Sequence, residues 1–242
     1  MTAKTPTRVF ADESVAPRVA IFARGPQASD LTGALERQGV RAATIGPDSD
    51  GRPPLRSRVA ARAALARAKV TLSGIDALIY AWVDPEMAQR APIDAMSEAQ
   101  WIARCEKPLT HARTFFQTAY EELAERGGSL ILLLPSLAMT GSDLLLPWAA
   151  AAEGQRSLAK ATARAWGRCP IRINCLAASA ALLAGVDADT PMERAGLPAQ
   201  SLTTPEPGWD AIAALAATML TPGFASVTGT TIGADNGRWM TP

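Results

Sequence analysis

Six short apolar runs punctuate the chain: Val19–Ala23, Val40–Ile45, Asp76–Val83, Leu130–Leu134, Ile171–Ala177 and Ser226–Ile232. Between them lie stretches with helical spacing: Leu31, Ala34 and Leu35 up to Gly39, then Leu55–Val70, Ser97 to Gly127, Trp148–Gly167 and Trp209–Leu220. Ser97 and Gln100 stand at the spacing of a capping box, which sets the start of the third helix. A strand that is apolar on both faces must be covered on both, and strands alternating with helices are joined by right-handed crossovers. The pattern predicts an α/β fold, a doubly wound parallel sheet with helices on both faces, in one domain spanning 18–242 behind an N-terminal extension, 1–17.

With 48% hydrophobic and 19% charged residues, 242 residues suffice for one sizeable core. The net charge of +1 creates no field that would hold nucleic acid or an anionic membrane. No apolar run reaches the roughly 20 residues of a membrane span, and Met1–Val15 lacks a signal-peptide core, so a cytoplasmic protein is expected. Cys105, Cys169 and Cys175 lack metal-type spacing and are expected to be buried, reduced thiols. The only histidine, His111, cannot build a metal cluster alone, and no metal site is expected. A Rossmann-like sheet of this kind binds ligands beyond the carboxyl ends of its strands, where the strand order reverses. That directs attention to the loops at Arg24, Asp84, Pro135 and Ala178.

Five stretches, in order, resemble the short-chain dehydrogenase/reductase family: Gly74–Ile79, Met96–Trp101, Gly128–Ile131, Ile171–Asn174 and Val227–Trp239. The resemblance implies a glycine-rich pyrophosphate loop after the first strand. Here the segment Arg24 to Ser29 has Gly25 as its only glycine, and Asp30 follows. The family's Asn-Asn-Ala-Gly after its fourth strand is replaced by Tyr80-Ala-Trp-Val83, whose aromatics could fill adenine or ribose space. Gly39 to Asp76 is short for two strands and a helix.

The family's Tyr-x-x-x-Lys helix runs into the Ile171–Asn174 strand at a nearly fixed distance, which puts its Tyr on Trp148 and its Lys on Ala152. Indole and methyl cannot exchange the proton that a phenol and an ammonium manage. The family's Ser falls on Pro135, with Ser136 one place away, and its Asn on Pro108, where a proline is expected to keep the family's helix bend without its polar function. The expectation is therefore no catalytic residue, no cofactor-binding residue and no cofactor.

Arg52, Arg56, Arg58, Arg62, Arg67 and Lys69 are expected to form a solvated helix face, and Arg156, Lys160 and Arg164 a charged stripe. The family includes heteromeric NAD-dependent dehydrogenases with an active and an inactive subunit type. The resemblance implies a non-catalytic subunit of this sort, acting on a hydroxyacyl-CoA in a hetero-oligomer with a catalytically active homologue, through the helix that carries Trp148 and the long one before it. Two alternatives stay open: a sensor binding a small molecule or acyl-CoA in the altered cleft, and an unconventional enzyme using Ser136, Asp143 or Glu153.

Overall fold

The computed structural model describes residues 15–142, 144–185 and 207–237. Most of the expected extension therefore lies outside the described residues, as does Asp143.

Each expected strand is present: β1 (Arg18–Ala23), β2 (Arg41–Ile45), β3 (Ala77–Ala81), β4 (Gly128–Pro135), β5 (Ile171–Ala178) and β6 (Thr231–Gly233). They form one parallel sheet in the order β2-β1-β3-β4-β5-β6. Alternation divides their side chains between two cores. Ile21, Ile79, Ile131 and Leu176 enter one; Phe22, Leu78, Leu130 and Ile173 enter the other. The first core is closed by α1 (Pro26–Arg37) and, near the C-terminus, by the helix Trp209–Leu220, whose bounds match the expected ones. The second is closed by α2 (Arg58–Leu72) and by the long helices described next. Among the described residues no helix is long and apolar enough to cross a membrane.

Differences from the sequence reading are local. The expected loop Arg24 to Ser29 shrinks to Arg24 and Gly25, because Pro26 already has the backbone angle of a first helical residue and α1 starts there. Gly25, at φ 73°, makes the sharp entry. Helix α2 starts three residues late, at Arg58, where the Ser57 hydroxyl accepts from the Ala60 amide. The helix opened by Ser97 has the expected capping box but is not continuous: α3 (Glu98–Trp101) passes through a π-helical turn, Ile102–Glu106, into α4 (Lys107–Leu123). Pro108 sits at the start of α4, where its missing amide donor breaks no regular ladder, in keeping with an interrupted helix at this point.

A short α5 (Leu137–Thr140) leads to α6 (Leu146–Ala165), and α7 (Ala180–Ala184) follows β5. The final strand is shorter than the expected Ser226–Ile232 because Asn174 takes over part of the pairing. Its amide donates to the Val227 carbonyl at 2.9 Å and accepts from the Thr230 amide at 3.2 Å. Helices α4 and α6 lie close together: a Cβ on Gly154 would stand 2.6 Å from Leu109 Cδ2, so a side chain there would require the Leu109 side chain to move.

Candidate functional site

The chain leaves β1 for β2 on one side, then returns over α2 to β3 on the other. The strand order thus reverses between the carboxyl ends of β1 and β3, the place where such sheets bind ligands. Residues 46–76 hold α2 and no further strand, so β2 is the sheet edge and the unit suspected missing from the sequence is missing.

The switch point is filled by a polar cluster. Arg24 leaves β1, and Trp82 and Asp84 leave β3. Arg24 Nη1 and Trp82 Nε1 each donate to Asp84 Oδ1 at 3.1 Å. Asp84 Oδ2 stands 3.4 Å from Nδ1 of His111, which α4 supplies. The Arg24 guanidinium lies over the Trp82 ring, 5.7 Å from its centroid, and that ring meets His111 edge to face at 6.4 Å. Trp82, Asp84 and His111 are all at most 3% exposed. Burial by itself would raise the Asp84 carboxyl, but His111, the Trp82 N–H and the charge of Lys107 outweigh it and hold the group below the usual carboxylate range.

A dinucleotide does not fit this arrangement. The arginine beside α1 is engaged by Asp84, whose carboxylate would repel a diphosphate, and the buried Trp82 indole lies under that pair. Gln27 folds back over the start of α1: its Oε1 lies 2.9 Å from where a Cβ on Gly25 would stand, and its Nε2 3.4 Å from the same point on Gly185 after α7.

Farther along the cleft the four positions to which the sequence resemblance assigns the family's polar quartet lie on β4, α6 and α4. Pro135 ends β4, opposite Ala178. Trp148 and Ala152 are buried on α6, 1% and 0% exposed. Gln155, one turn on, is the sole polar residue on the inward stripe Trp148, Ala152, Gln155, Ala159 and Ala163. Its amide donates to Tyr80 Oη at 3.3 Å and to the Pro108 carbonyl at 3.2 Å, tying α6 to β3 and α4. Tyr80 itself packs on Phe115 at 5.3 Å, and burial together with the Asp84 charge pushes its phenol far above the ordinary range.

Neither Gln155 nor the Asp84–His111 contact was foreseen in the sequence. For Gln155 the signal was present, a lone amide on an apolar helical stripe. Of the alternative acid–base candidates, Ser136 is buried at the start of α5 and Glu153 is held by Arg156 on α6. The arginines around α2 are more than a solvated face: Arg58 and Arg62 pair with Glu121 of α4, Lys69 with Glu122 and Arg56 with Asp48. Cys105 and Cys175 are buried thiols, whereas Cys169 is half-buried. Among the described residues no group of side chains could hold a metal ion.

Residues 55–238 match the family described as Enoyl-(Acyl carrier protein) reductase, a branch of the short-chain dehydrogenases/reductases. The chain belongs to this family. The match begins after β1, α1 and β2, the region where the family's glycine-rich loop would lie. In fold the chain is similar to 3-ketoacyl-(acyl-carrier-protein) reductase from Brucella melitensis, a structure complexed with NADH, with a TM-score of 0.71, 15% identity, and coverage of 92% of this chain and 98% of that one. No curated protein matches the chain in sequence.

Proposed function

We propose that this chain is a non-catalytic subunit of a heteromeric, NAD-dependent short-chain alcohol dehydrogenase, in which an active homologue supplies cofactor and proton transfer. The observation that carries the reading is the buried pair Trp148 and Ala152, an indole and a methyl on the helix where the family keeps its phenol and ammonium. A chain that retains the family's sheet and helices while replacing those groups retains a scaffold and its surfaces. The outward side of α4 and α6 supports a role in assembly. There Phe116, Tyr120, Leu158 and Trp166 line an open groove of about 310 Å³, with Tyr120 41% exposed.

The substrate class is an acyl thioester. The matched family and the similar Brucella reductase are both named for acyl-carrier substrates. Within that class the chain is read as most like the non-catalytic subunit of the 2-[hydroxy(phenyl)methyl]succinyl-CoA dehydrogenase of anaerobic toluene degradation.

The test is co-expression with intact short-chain dehydrogenases from the same genome. One of them is expected to co-purify in fixed stoichiometry, with higher turnover or thermal stability than it has alone, and Tyr120→Glu is expected to abolish the complex. Turnover by the isolated chain would overturn the reading. So would a stable homotetramer that neither binds nor activates any active homologue.

A further inference from the structure

Asp84 is a carboxylate placed where this fold gathers positive potential, across the switch point from the start of α1. A buried carboxylate is costly unless its oxygens are answered. Here Oδ1 is answered from two separate parts of the chain, Arg24 after β1 and Trp82 after β3, while Oδ2 faces Nδ1 of His111 on α4 at 3.4 Å without a hydrogen bond. Of the four residues only Arg24 has appreciable side-chain exposure, 29% against 5% for Asp84 and 2% for His111. Trp82, Asp84 and His111 are therefore the frame, and Arg24 is the leaf laid across it.

We propose that Asp84 serves as a built-in anion: it takes the position at the switch point that an anionic ligand group would take, and the Arg24–Asp84 bridge, seated on Trp82, is an autoinhibitory contact that locks the cleft from inside. The lock is held by charge. Neutralising Asp84 leaves the Arg24 guanidinium beside the amino end of α1 with no carboxylate to bind, which turns the same cleft into a site for a diphosphate-class anion. The inference concerns this chain's own cleft and holds whether or not the partner proposed above exists.

The experiment uses the full chain, with inorganic pyrophosphate and ADP as probes. Asp84→Asn keeps the shape and an acceptor for Trp82 but removes the charge. Wild type is expected to show no saturable rise in melting temperature up to about 10 mM of either probe. Asp84→Asn is expected to bind pyrophosphate at least about tenfold more tightly than wild type, and Arg24→Met added to it is expected to remove the gain. Because His111 is the only histidine, its imidazole resonances report directly on the cluster and are expected to move in Asp84→Asn. Wild type binding either probe as tightly as Asp84→Asn overturns the lock, as does a folded Asp84→Asn with no gain.

If Asp84→Asn does not fold, hydrogen exchange of Arg24→Met decides. Amides of residues 24–31 and 82–88 are expected to exchange at least about tenfold faster than in wild type, with β4 and β5 unchanged. Unaltered exchange in those segments overturns the proposal.

Discussion

Two stretches of one cleft are filled by opposite means. Between β1 and β3, four side chains with polar atoms, Arg24, Trp82, Asp84 and His111, converge where an uncharged backbone loop would suffice for a cofactor. Along α6 and its neighbours the chain instead presents Pro108, Pro135, Trp148 and Ala152, with Gln155 supplying hydrogen bonds to Tyr80 and to the Pro108 carbonyl. The difference teaches that a site can be closed by charge or by volume, and that the two closures respond to different perturbations. The charged closure depends on pH and on ionic partners, whereas the apolar one depends on shape alone.

The largest effect is expected at the apolar end. Trp148→Ala removes a fully buried ring and should lower stability by about 3–5 kcal/mol in urea denaturation, by the same amount at pH 5 as at pH 8. A loss below about 1 kcal/mol would mean that the indole is not what fills the cleft.

At the charged end, Asp84→Ala strands Arg24 and His111 and should cost about 2–3 kcal/mol at neutral pH. Its contribution must also depend on acidity. The folded-state carboxyl lies below its unfolded value of about 3.9, so its stabilisation is complete above about pH 5 and is lost as pH falls through the folded value. Asp84→Asn should flatten that part of the acid limb of melting temperature against pH, leaving the share due to the Arg18–Asp76 pair at the opposite end of β1 and β3. An acid limb unchanged in Asp84→Asn would erase the distinction between the two closures.

Smaller is Gln155→Leu, which deletes the hydrogen bonds to Tyr80 and Pro108 while keeping volume, and should cost about 1 kcal/mol by chemical denaturation. Smallest is Arg156→Ala, which breaks an i,i+3 pair with Glu153 on the outer side of α6 and should shift stability by only about 0.2–0.5 kcal/mol. If it rivals Gln155→Leu, the outer side of α6 contributes to folding as much as its inward stripe.

Much of the fold was readable from residue order, and the reasons are particular. The strands around Ile21, Ile79, Leu132 and Ile173 are apolar on both faces, and the helix Trp209–Leu220 is bounded by Gly208 and Pro222. The start of α1 was misread because Gly25, Pro26 and Gln27 look like loop residues until Pro26 is placed as a first helical residue. The burial of Trp148 and Ala152 on one face of α6 was readable from their helical spacing of four. The partnership of Asp84 with His111 was not readable in this way, because nothing in either residue's local pattern names the other.

The order of residues by itself determined the parallel sheet and its helical cover, because hydrophobic periodicity and spacing along a helix are local properties of a chain. Only the tertiary structure decided that the switch point is closed by an ion pair. That contact joins the end of β1, the end of β3 and the flank of α4, and its existence depends on strand register and on how closely a helix approaches the sheet, distances that arise only when the whole core is assembled.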